Sequence, residues 1–187
     1  MINKVINDDT GEIFHKLDNE EEKRTLKVTA GLHGSTDIFA EDNFNKISTI
    51  YNMYAGAFKT FSIGKDFTPS KTNTMLVPAI DNVKSWYVIK LSNGMMLKCG
   101  PSTMFLTDLE KKYIRVDQLK AGTELCEVIY DISTNNIIIG KTTIELVEVV
   151  ETPQGEPAYY FINETKNMMI PAYNNDIKYI SFVNIMQ

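Results

Sequence analysis

The sequence predicts a mainly β fold with one short helix, preceded by an N-terminal arm, and three observations carry that reading. From Met75 onward the apolar residues alternate or cluster in blocks of strand length. An Asn93-Gly94 pair separates two such blocks, as a tight hairpin requires. Only the stretch from Phe44 to Tyr54 repeats its apolar positions every three or four residues. A chain of 187 residues can bury one substantial core without disulfides, and 43% apolar with 23% charged residues excludes wholesale disorder.

Residues 1–30 read as an arm or linker, with a turn at Asp8-Asp9-Thr10-Gly11, a short apolar Ile13-Phe14 and a charged run from Asp18 to Arg24. That run fits a solvated face, or alternatively an acidic docking arm. Thr25 to Thr29 alternates as a short strand leading into the body. In the helix, Asp42 or Asn43 caps, Phe44, Ile47, Ile50 and Tyr54 form the buried stripe, and Gly56 terminates. Gly64 to Ser70 is a loop, because its Gly and Pro disfavour helix and ladder.

Trp86–Leu91 and Met95–Cys99 form the best-defined hairpin. Glu124–Tyr130 and Ile137–Lys141 form a second, joined through residues 131–136. Between them, residues 114–122 read as a strand end and one helical turn stopped by Gly122. A strand or strand pair across Thr143–Val150 breaks at Pro153–Pro157, Ala158–Ile162 returns, and Ile177–Val183 pairs at a sheet edge. The expected divisions are 1–30 as arm, 31–176 as the β body and 177–187 as a C-terminal strand or tail.

The composition excludes several classes of function. A net charge of −5 opposes non-specific nucleic-acid binding, which needs surplus Lys and Arg. No apolar run reaches transmembrane length, and the polar interruptions in Met1–Asp9 predict no secretory signal. Two cysteines, Cys99 and Cys126, build neither a disulfide framework nor a four-cysteine zinc site, and read as structural thiols of a reducing cytosol. His15 and His33 have no second ligand at metal spacing, and the spacing of Asp37, Glu41 and Asp42 matches no calcium loop, so no metal is expected. No glycine-rich phosphate loop is present and no cofactor is expected. Glu145 and Glu148 fall on opposite faces of a strand, as solvated charges rather than an acid–base pair. The aromatic residues and the Met95-Met96 and Met168-Met169 pairs read as core.

Residues 98–107, Lys-Cys-Gly-Pro-Ser-Thr-Met-Phe-Leu-Thr, and 113–125, from Tyr113 to Leu125, resemble the central motif of the Hint family of inteins and Hedgehog autoprocessing domains. There a strand enters a T-x-x-H turn followed by Phe-Leu, and a Leu-Lys-small-Gly turn opens the next strand. Gly31-Leu32-His33-Gly34-Ser35-Thr36-Asp37-Ile38 is similar to the family's opening Cys-Leu-x-Gly-Asp-Thr-x-Ile, and Tyr160 to Met169 to its late strand ending in His-Asn-Phe. The matches span Gly31 to about Asn175. The resemblance implies a twisted β scaffold that brings its termini together.

At the chemistry the sequence departs from the family pattern. The Cys or Ser that would attack the preceding carbonyl matches Gly31, which has no side chain. The motif's Thr and His match Gly100 and Thr103, and the later Asp and His match Tyr159 and Lys166. Asn174 or Asn175 stands for the asparagine that cyclises, but Asp176 follows instead of Cys, Ser or Thr. His33 is either structural or a replacement nucleophile or base. These degenerate positions lead to the expectation of a non-catalytic Hint-like module, a pseudoenzyme that contacts other proteins through its terminal segments. Richness in Asn, Ile and Lys points to an AT-rich genome, and such domains travel in phages, so a virion component or a cytoplasmic protein is expected. Weak autoprocessing by cyclisation of Asn174 or Asn175 is the alternative.

Overall fold

The computed structural model describes the backbone of residues 3–6, 13–16, 31–64, 68–79, 81–107, 112–131, 133–165, 167–174 and 177–185, with side chains between 31 and 170, Tyr130 excepted. The strand expected at Thr25–Thr29, the Asp8–Gly11 turn and the charged run at 18–24 lie outside the described residues. In the arm, β1 (Asn3–Ile6) and β2 (Ile13–Lys16) pair antiparallel as a separate two-stranded sheet.

The body opens with β3 (Leu32–His33), then a hairpin of β4 (Asp37–Ala40) and β5 (Asn43–Lys46), and helix α1 (Ile47–Met53). The helix is therefore shorter than the three-to-four spacing predicts, and neither Asp42 nor Asn43 caps it. Asn43–Lys46 pairs in ladder register with Asp37–Ala40, setting Phe44 opposite Phe39, and that pairing overrides the helical periodicity. The first helical N–H groups donate instead to the carbonyls of Thr36 and Gly34. Ile47 and Ile50 are buried as expected.

β6 (Phe58–Ile63) and β7 (Pro69–Pro78) form a hairpin that the sequence concealed, because the inward positions of β6 include Thr60 and Ser62 rather than apolar residues. β8 (Val83–Leu91) and β9 (Met96–Cys99) make the expected hairpin, with Gly94 at φ +87°, a conformation that disfavours any side chain. β10 (Thr103–Leu106) and β11 (Tyr113–Arg115) follow, then a 3₁₀ turn at Val116–Gln118. β12 (Glu124–Asp131) and β13 (Asn136–Glu156) form the second expected hairpin.

β13 does not break at Pro153. The register with β8 shifts between Glu151 and Glu156, and Pro153 sits in that irregularity, where no ladder donor is missed. β14 (Ala158–Ile162), β15 (Met168–Asn174) and β16 (Ile177–Ile185) complete the chain. The 12-stranded sheet runs β11-β10-β16-β12-β13-β8-β9-β3-β14-β7-β6, with β15 added on β16. The C-terminal strand expected after Asp176 is present as β16, and only its place at a sheet edge is corrected: it lies between β10 and β12, inside the sheet. The body thus extends to Ile185.

Buried Leu32, Ile38, Ile50, Ile89, Leu97 and Phe105 belong to the main core cluster. A second cluster gathers Phe39, Phe61, Val128 and Met169 with Cys126. Both cysteines are buried thiols outside any disulfide. Among the described residues no helix is long and apolar enough to cross a membrane.

Candidate functional site

β3 is only two residues long, yet it is held from both sides, pairing with β14 through Leu32–Tyr159 and with β9 through Leu32–Cys99. This fixes Gly31 at the mouth of the turn that joins β9 to β10. The Gly31 N–H donates to Thr103 Oγ1 at 3.3 Å, and the Thr103 hydroxyl donates to the Gly31 carbonyl at 3.1 Å. The Gly100 N–H donates to the same carbonyl at 2.9 Å, and the turn closes on itself through Thr103 N–H to Gly100 O at 3.0 Å. Gly31, Gly100 and Thr103 therefore meet at one buried point, with Thr103 where the resemblance puts the motif histidine. A hydroxyl there accepts and donates hydrogen bonds but titrates nowhere near neutral pH, so it serves poorly as a proton source for a departing amine.

Gly31 has φ +119°, and a Cβ added to it would lie 2.9 Å from the Tyr159 carbonyl oxygen and 3.2 Å from Ala158 Cβ. The space a nucleophilic side chain would need is filled by β14. Tyr159 itself turns its ring toward Tyr51, 5.3 Å between centroids. The nearest thiol, Cys99, is fully buried, and that burial pushes it up to about 12 against a lesser opposing hydrogen bond from Thr103, leaving it a neutral thiol.

Asn174 ends β15 opposite Ile177, at the far end of β16 from Ile185, which pairs with Thr103. Roughly 26 Å of strand separates those ends, at ~3.3 Å per residue. The structure does not bring Asn174 to Gly31, and Asn175 and Lys166 lie outside the described residues. The asparagine carried to this neighbourhood is Asn184, opposite Met104. The sequence signal for it was Val183-Asn184 closing an apolar strand, overshadowed by the Asn174-Asn175 pair.

His33 lies two residues beyond Gly31 in an ion-paired, aromatic setting. Its Nδ1 is within 2.7 Å of Ser35 Oγ and accepts the Ser35 N–H at 3.2 Å, while Nε2 faces Glu156 at 3.7 Å. The ring meets Trp86 edge-on at 5.1 Å, and Lys98, which also binds Glu156, lies over the same indole. Burial, then the Lys98 charge, lowers the His33 pKa, with Glu156 opposing. The unfolded chain therefore takes up this proton first, near pH ~6.5. Stability from neutral His33 is complete above that pH and is lost as pH falls through the folded value. Melting temperature is expected to drop between pH 7 and 5, and His33→Gln to flatten that slope. Thermal melts at constant ionic strength check it, and an unchanged slope in the variant refutes it.

Among the described residues no group of three His, Cys, Asp or Glu side chains could hold a metal. No protein-family model matches the chain, and no curated protein sequence matches it either. Solved structures do. A DnaB intein from Synechocystis sp. PCC 6803 is similar over 81% of this chain and 98% of its own, at 15% identity and a TM-score of 0.61. A bacterial intein-like domain from Clostridium thermocellum matches 82% of this chain and 99% of its own, at 14% identity and a TM-score of 0.55. The transcription factor IIB Mvu mini-intein matches over 81% and 99%, at 14% identity and a TM-score of 0.60. These likenesses show a Hint-type β fold. Within that class the chain has the fold of the inteins, and at these identities the likeness is one of fold.

Proposed function

We propose that this chain is a non-catalytic Hint-fold module that binds other proteins, as part of an assembly such as a phage virion or in the cytoplasm. The observation that carries the proposal is Gly31, which has no side chain and whose would-be Cβ position is closed by the Tyr159 carbonyl. Thr103 and Gly100 add support, since they hold the Gly31 peptide by hydrogen bonds without supplying an imidazole or a second hydroxyl. A rigid scaffold relieved of chemistry remains a stable platform for display. The N-terminal arm is its contact segment. After Asp176 the chain continues as β16 within the sheet, so a contact made there would use a sheet strand and not a free tail.

The test is intact-mass spectrometry of full-length chain tagged at both ends, incubated for days from pH 6 to 8.5 with and without dithiothreitol. The expected result is an unchanged mass. A fragment ending before Gly31, or after Asn174, Asn175 or Asn184, overturns the proposal.

A further inference from the structure

β13 is paired on opposite edges in its two halves. Ser92 donates its N–H to the Thr143 carbonyl at 2.8 Å, on the β8 side. The next residue turns the other way: Ile144 N–H donates to Thr123 O at 2.9 Å, and Gly122 N–H to Ile144 O at 2.8 Å, on the β12 side. Beyond this point β12 has ended, and among the described residues no strand pairs with the β12-side edge of Leu146–Glu156. Exposed apolar side chains stand along it, with Leu146 43%, Val149 53% and Val150 38% exposed. An unpaired run of backbone N–H and C=O groups flanked by apolar side chains is a template for another strand.

The charge on this stretch selects among strands. Residues 142–157 contain Glu145, Glu148, Glu151 and Glu156 and no Lys or Arg. Glu145 is neutralised by Lys90 at 2.7 Å and Glu156 by Lys98, and Glu151 accepts the Ser85 hydroxyl at 2.8 Å. Glu148 is exposed, stands on the same face as Leu146 and Val150, and has no neutralising partner among the described residues.

We infer that the free edge at Leu146–Glu151 accepts an extended peptide segment with a Lys or Arg between two apolar residues on one face. The cation lies opposite Glu148 and the apolar pair opposite Leu146 and Val150. This deepens, and rests on, the reading of the chain as a protein-binding module.

The probe is the peptide acetyl-Thr-Val-Thr-Lys-Thr-Val-Thr-amide, compared with its analogue carrying Glu for Lys and with a version whose central Thr residues are N-methylated. Binding is followed by amide shifts at Leu146–Glu151 and by fluorescence of Trp86, which lies opposite Val150. The Lys peptide is expected to bind at least ~10-fold tighter than the Glu peptide, since ~1.4 kcal/mol is tenfold. N-methylation should abolish binding, and Glu148→Lys should reverse the preference; an exposed residue with no partner among the described residues tolerates that change.

Equal affinity of the two charged peptides, absence of binding, or an edge occupied by a second copy in sedimentation overturns the inference. A partner captured from the native source equally by parent and Glu148→Lys overturns this edge while leaving the binding-module reading intact. Failure of the parent to bind any protein there removes the reading itself.

Discussion

Asn167→Ala is expected to destabilise the chain by about 3–5 kcal/mol, because its side-chain amide completes a buried strand end. Asn167 Oδ1 accepts the Ile63 N–H at 2.7 Å, and Nδ2 donates to the Ile63 carbonyl at 2.7 Å. One side chain thus satisfies both backbone groups of a residue that is 4% exposed, where β6 would otherwise end unpaired. The position is itself held, since Asn163 Nδ2 donates to the Asn167 carbonyl at 2.8 Å and to Thr74 Oγ1 at 3.2 Å. Truncation leaves two buried polar groups without partners, each worth about 1–3 kcal/mol. The melting temperature should fall on the order of 10 °C for a chain of this size. Asn167→Asp should be worse at neutral pH, where a carboxylate faces the Ile63 carbonyl, and should recover in acid once it can donate a proton. Urea denaturation decides it; a loss below ~1 kcal/mol for Asn167→Ala would mean that the pin contributes little.

How far the sequence was legible follows from which forces act locally. The Trp86–Cys99 hairpin could be read because Asn93-Gly94 states its own turn, and Glu124–Lys141 because apolar runs flank a polar loop. The Phe58–Ile63 strand could not, because its buried positions include Thr60 and Ser62, whose inward orientation is decided by partners across the sheet. The helix start is not legible for the same reason: Phe44 has helical spacing, but Phe39 pairs with it across a hairpin. The place of β16 is set by contacts with Thr103 and Glu127, far away in sequence. At the site, the order and spacing of Gly31, Gly100 and Thr103 were legible, and their meeting is explained by β3 lying beside β9. The closing of the Tyr159 carbonyl over Gly31 was not, since it depends on β14 pairing with Leu32.

That closure gives the second large effect. Gly31→Cys places a thiol at the position that the resemblance assigns to a nucleophile, and the expected outcome is a chain less stable by about 2–4 kcal/mol that does not cleave. The backbone at φ +119° is a region that L side chains rarely adopt, and the new Cβ meets the Tyr159 carbonyl oxygen at 2.9 Å, so β3 or β14 must shift. Gly31→Ala should lose a similar amount, separating strain from any effect of the thiol. Adding Thr103→His supplies an imidazole near the Gly31 amide, but it removes the hydroxyl that donates to the Gly31 carbonyl and places a larger ring at a site with no exposed surface. Thiol-induced release of residues 1–30, read by intact mass with dithiothreitol, is expected from none of the three variants. If Gly31→Cys were as stable as the parent and dithiothreitol released the arm, the scaffold would have kept its catalytic geometry. Release of the arm would then need one added side chain and no movement of β14, whereas a Cβ that meets the Tyr159 carbonyl oxygen at 2.9 Å requires β3 or β14 to shift first.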